Sequence, residues 1–197
     1  MTYHTPSAPC QAIHEIKKSE FLAFAYPIHN KDEVMFHVEQ LRHRYPDARH
    51  HCTAYIIGDP SNTTSAGFDD DGEPNGTAGR PILSVLQHKG IGNVLVVVVR
   101  YFGGIKLGAG GLTRAYATAT QLLIDEMILV PFVAKSIIKV VTTFAHETQI
   151  RYLVEQVGGE IVLVDYAENV FMTVQMIDKR VNEFRESLGV FGRICAD

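Results

Sequence analysis

With 197 residues, 46% of them hydrophobic and 20% charged, the chain is long enough for one large domain or two small ones with buried cores. Its wholly apolar runs, such as 94–99, fall far short of the roughly 20 residues that cross a bilayer, so no membrane partner is expected. A net charge of −4 excludes a generic nucleic-acid binder, because phosphate neutralisation drives nonspecific affinity. The charge is uneven, however. Residues 1–116 carry 11 Lys and Arg against 11 Asp and Glu, whereas 117–197 carry 7 against 11, so any such binding belongs to the first part. No basic, apolar, small-residue leader pattern opens the sequence, and the expectation is a cytoplasmic protein.

Two strand-like runs, 11–16 and 21–28, are separated by Lys17-Lys18-Ser19. Val34, Val38, Leu41 and Tyr45 recur at helical spacing, and Pro46-Asp47 ends that helix. Residues 51–58 alternate like a strand. From 59 to 76 the chain is rich in Asp, Gly, Asn, Pro and Ser and reads as one long loop. Loops that long are uncommon in compact domains and often functional. Thr77 stands where it can cap a helix reaching about His88, with Pro81 in the first turn. Residues 94–99, unbroken by polar side chains, read as a buried central strand. A glycine-rich stretch, 103–111, then leads into a helix over 112–127 whose apolar side is Leu112, Ala115, Ala119, Leu122 and Leu123.

Pro131 marks a boundary, giving domains 1–130 and 131–197. Beyond it come a strand over 136–144, a helix over 148–157, strands over 160–165 and 170–176, a helix over 179–188 and a short strand near Arg193. That order is β-α-β-β-α-β, a ferredoxin-like unit, and the fold class of the whole chain is α+β. The second domain holds no cluster of His, Cys or paired acids and is read as structural or docking. The three cysteines, Cys10, Cys52 and Cys195, suit neither a disulfide framework nor a zinc knuckle. Cys52 follows two histidines, which raises a nucleophile–base reading. Neighbouring strand residues face opposite sides, which favours a small buried hydrophobe instead.

Three stretches of the first domain carry the chemistry. Arg49-His50-His51-Cys52 is basic at mildly acidic pH, and its histidines are candidates for a metal pair or a proton shuttle, set against a solvated helix-exit turn. Asp69, Asp70, Asp71 and Glu73 place four carboxylates within five residues, the weak candidates for a hard cation. The alternating ligands of an EF-hand are absent, so no metal is expected; these acids are read as capping helix ends or pairing with Arg49, Arg80 and Arg100. Finally, a buried strand ends at Arg100 and runs through Gly103, Gly104, Lys106, Gly108, Gly110 and Gly111 to a helix carrying Arg114. Backbone N–H groups exposed at a helix start favour anions. The stretch matches neither a Walker A loop nor a dinucleotide fingerprint, and no cofactor is expected. A tight turn that simply needs glycine is the competing reading.

In order and spacing, Arg49-His50-His51-Cys52, Asp70-Asp71-Gly72-Glu73-Pro74 with Gly76-Thr77-Ala78-Gly79, and Arg100-Tyr101-Phe102-Gly103-Gly104 with Leu107-Gly108 and Gly110-Gly111-Leu112 resemble the YigZ/IMPACT family over most of residues 10–120. The resemblance implies a left-handed β-α-β domain similar to domain IV of elongation factor G, followed by a ferredoxin-like domain similar to its domain V. It implies RNA or the ribosome as partner. It transfers no catalytic residue. The N-terminal module through which eukaryotic members act in amino-acid starvation is expected to be missing, and that role is not carried over.

Three functions follow. The first is a translation-associated regulator binding nucleic acid or the ribosome through Arg49, His50, Arg80, Arg100, Gly104, Lys106, Gly110, Gly111 and Arg114. The second is an enzyme acting on a phosphorylated or nucleotide substrate, since the glycine stretch faintly resembles the phosphate loop of some small-molecule kinases but lacks their paired serines. The third is a protein–protein adaptor that docks through the second domain.

Overall fold

The computed structural model describes residues 3–195 of the chain, which divides into two compact units, Met1–Phe132 and Val133–Asp197. In the first, β1 (His4–Pro6) pairs with the late strand β7 (Leu129–Pro131). The hairpin of β2 (Cys10–Ile16) and β3 (Ser19–Pro27) turns through Lys17 and Lys18, both at positive φ (48° and 64°). That is the twist a two-residue hairpin turn requires, normally met by Asn-Gly. Helix α1 (Lys31–Arg44) is capped by Asn30, whose side chain accepts from the Glu33 N–H, while the Glu33 carboxylate reaches back to the His29 N–H.

Strand β4 (His50–Asp59) follows, and then β5 (Asn62–Asp69). Here the sequence reading is corrected, because the first part of the expected long loop, Asn62–Asp69, is an edge strand. Helix α2 (Gly79–His88), strand β6 (Val94–Tyr101) and helix α3 (Ala109–Asp125) complete the unit. The sheet runs β2-β3-β6-β4-β5 with every neighbouring pair antiparallel. Even-numbered residues of β6 (Val94, Val96, Val98) pack with α2 and α3, and odd ones (Leu95, Val97, Val99) with α1.

This layout fixes a chirality. The β3-α1-β4 crossover skips β6 in one direction, and β5-α2-β6 skips β4 in the other, between parallel pairs of strands. Rotating the sheet by half a turn in its own plane superposes the two paths while leaving the helices on opposite faces. The crossovers therefore have opposite hands, and one of them is left-handed, against the strong right-handed preference.

In the second unit β8 (Lys135–Thr142), α4 (Glu147–Gln156), β9 (Glu160–Tyr166), β10 (Val170–Ile177), α5 (Asp178–Leu188) and β11 (Gly192–Ile194) give the ferredoxin-like order, with the sheet β11-β8-β10-β9. Ile150 and Val154 of α4 and Phe184 and Leu188 of α5 share one core with Val140, Met172 and Val174. Both helices thus cover the same face, and the two crossovers have the same hand. The opposite face leaves Ile137, Leu163 and Phe171 exposed. Among the described residues no helix is long and apolar enough to cross a membrane.

Candidate functional site

The site begins with the acidic loop. Asp70 Oδ1 accepts from the N–H groups of Ala78 and Gly79 at 3.0 and 2.8 Å, and Oδ2 from that of Gly76 at 2.7 Å. Asp70 therefore caps α2, and Thr77 does not: its hydroxyl donates instead to the Pro74 carbonyl. Asp71 binds Arg42 at 2.8 Å and accepts from the His51 N–H at 2.6 Å. Asp69 accepts from the Asp71 N–H. The expected pairing of these acids with Arg49 and Arg80 is not what forms. Among the described residues no group of three or more His, Cys, Asp or Glu is placed to hold a metal ion.

Glu73 turns inward, with its side chain 4% exposed, and meets Arg100 from β6, itself 8% exposed, at 2.5 Å. The Tyr116 hydroxyl donates to the same carboxylate oxygen at 2.9 Å, and the Cys52 thiol lies 3.2 Å from that hydroxyl. Burial pushes the Cys52 thiol far up and the Tyr116 phenol with it. The thiolate a nucleophile needs is suppressed there, and Cys52 is a buried packing residue. The cross-strand neighbours of Arg100 are Phe21 and His50. The Arg100 guanidinium carbon lies 5.4 Å from the Phe21 ring centroid and 5.8 Å from that of Phe102. Its Nε–H is buried without a partner among the described residues.

In front of this pair opens a cleft of about 380 Å³, lined by Arg49, His50, Glu73, Pro74, Arg100, Phe102, Lys106, Leu107, Gly108, Ala109 and Leu112. His50 Nδ1–H donates to the Asp71 carbonyl at 2.8 Å, which fixes that ring at the rim. At the far side, Gly108 (φ 71°) is the N-cap of α3 and offers no side chain, and the first turn carries no acid. The leading N–H groups of a 17-residue helix consequently stay available to a ligand. Gly103, just before the cleft, is required by contact: a Cβ there would lie 2.0 Å from the Lys18 carbonyl carbon. The exposed Lys17-Lys18 turn is thereby held beside the glycine stretch.

Of the residues singled out in the sequence, Arg49, His50, Arg100 and Lys106 line this cleft, whereas Arg80, Gly104, Gly110, Gly111 and Arg114 do not. Arg80 and Arg114 are exposed beside Gly76 and Gly110 respectively. Arg49, Arg80, Lys106 and Arg114 form no ion pair among the described residues, but Arg100 is neutralised by Glu73. The candidate binding set left out Phe102, Leu107 and Gly108, which also line the cleft. The signal was there in the apolar residues interleaved with the glycines.

Residues 17–124, over half the chain, match the Impact N-terminal domain. The chain belongs to the IMPACT family. It is similar to the IMPACT family member YigZ of Escherichia coli, 37% identical over 95% of this chain and 92% of that protein. It is also similar to the Protein IMPACT homolog of Schizosaccharomyces pombe, 30% identical over 55% of this chain and 39% of that protein. A solved structure described as the crystal structure of an hypothetical protein covers 100% of this chain and 97% of its own at a TM-score of 0.77 and 34% identity. The IMPACT domain match spans every residue that lines the cleft.

Proposed function

We propose that this IMPACT-family protein is a translation-associated regulator that binds RNA, free or within the ribosome, through the cleft at the start of α3. The observation that carries the reading is that Arg49 and Lys106 line one cleft with the N-terminus of α3, which has no side-chain cap. Anions are favoured where such groups converge. A local cationic cleft also reconciles RNA binding with a chain of net charge −4. The likeness of the two units to domains IV and V of elongation factor G, a ribosomal factor, is part of the same proposal; it is an analogy of fold and supports the reading only in that sense.

Fluorescence anisotropy with a single-stranded RNA tests it. Arg100 is occupied by Glu73, so two to four cations from Arg49, Lys106, Lys17 and Lys18 are left to meet phosphates. The slope of log K against log salt should then be roughly −1.4 to −2.8. Arg49→Glu and Lys106→Glu should each weaken binding about tenfold or more, and Arg193→Glu in the second unit should change it little. Equal losses in all three variants would mean diffuse attraction. Absence of binding by the wild-type chain would end the RNA reading.

A further inference from the structure

The cleft combines cationic and apolar lining in one small volume, and that says more than that an anion binds. We propose that it accepts one nucleotide unit, the phosphate on the α3 N-terminal amides between Arg49 and Lys106 and the base against Phe102. This deepens the RNA reading above and rests on it. The polar pole is compact: Arg49, Lys106 and the turn Gly108-Ala109 line one concavity. Such a pole suits a single phosphate better than a tracked backbone, which needs charges spaced along a groove.

The same cleft also has apolar lining. Phe102 is 53% exposed although it directly follows a buried strand, and Leu107 and Pro74 flank the same space. An exposed aromatic beside a cationic pole is the pairing that recognises a base with its phosphate, because every base offers a π-face for stacking. The volume of about 380 Å³ lies at the lower end of the roughly 300–1,000 Å³ found for small-ligand sites, enough for one nucleotide and not for several. Glu73 does not oppose the phosphate as a free carboxylate would. One of its oxygens already takes donors from Arg100 and Tyr116.

The test uses the full chain and isothermal titration calorimetry with three probes: inorganic phosphate, ribose 5-phosphate and adenosine 5′-monophosphate, beside a single-stranded RNA. The monophosphate is expected to bind more tightly than ribose 5-phosphate by between about fivefold and a hundredfold, the range of one base–aromatic stack. Phe102→Ala should reduce it to the ribose 5-phosphate level and leave ribose 5-phosphate itself unchanged. Phe102→Trp should restore the difference, and Lys106→Glu should weaken all three probes. Equal affinity for the monophosphate and ribose 5-phosphate in the wild type overturns the assignment. So does a Phe102→Ala variant that loses both alike. If either occurs while RNA still binds and Lys106→Glu still weakens it, the RNA reading stands without this inference. If the monophosphate binds through Phe102 and RNA does not, the nucleotide assignment stands and the RNA reading falls.

Discussion

Arg100 and Glu73 form an ion pair that is almost entirely out of water, and such pairs are easily misjudged. The pair itself adds little net stability, because both charges lose hydration on burial, but breaking it leaves one charge stranded. Glu73→Ala should therefore lower the unfolding free energy by about 3–5 kcal/mol, read as a fall in the urea midpoint. The double variant Glu73→Leu/Arg100→Met should recover most of that loss. Small, additive effects in both would mean that water reaches the pair. His51 is a second buried polar residue, 5% exposed, with Nε2 unpartnered among the described residues. Burial holds its pKa below the ordinary 6.5, partly countered by Asp71. On acidification the unfolded chain takes up this proton first, so stability is fully present above about pH 6.5 and declines as pH falls through the folded value. His51→Gln should flatten that decline in urea titrations run at several pH values. The flattening should be partial, since burial also lowers His37. An unchanged slope would mean that His51 does not titrate in this window.

At the scale of elements, what could be read from the sequence is what has a period or a punctuating residue. Strand β6 opens on an unbroken apolar run, α3 has an apolar stripe, and the second unit alternates between strand and helix patterns cleanly enough to give its whole order. Strand β5 was illegible for a physical reason: Asn-Thr-Thr-Ser-Ala-Gly on a sheet edge presents no buried apolar face, and its burial alternates only between half-exposed and exposed. The start of α2 was hidden because its capping carboxylate, Asp70, lies eight and nine residues before the N–H groups it accepts from. Local capping rules look only one turn away. In the candidate site, Arg49, His50, Arg100 and Lys106 were legible as one group. Arg80 and Arg114 were not separable from them, because helix facing depends on where each helix starts. The opposite hands of the two crossovers follow from which face each helix covers, and no local pattern encodes that.

At the scale of the whole molecule, the uneven charge matches the division of labour read here. The cationic cleft belongs to the first unit, while the second unit is acidic in sum and carries a separate core built from β8, β10, α4 and α5. Small domains bury a limited share of their surface and are marginal by themselves. Even so, this core, with β9 and β11 packed against it, takes no residue from the first unit. A fragment covering 133–197 is therefore expected to fold alone. Far-UV circular dichroism should show a cooperative urea transition for it, and the intact chain should unfold in two steps rather than one. Limited proteolysis should cut first at about residues 132–134, the segment between β7 and β8. A fragment with no cooperative transition, beside a single transition for the intact chain, would mean that the two units fold as one body and that the boundary near Pro131 divides the structure but not its stability.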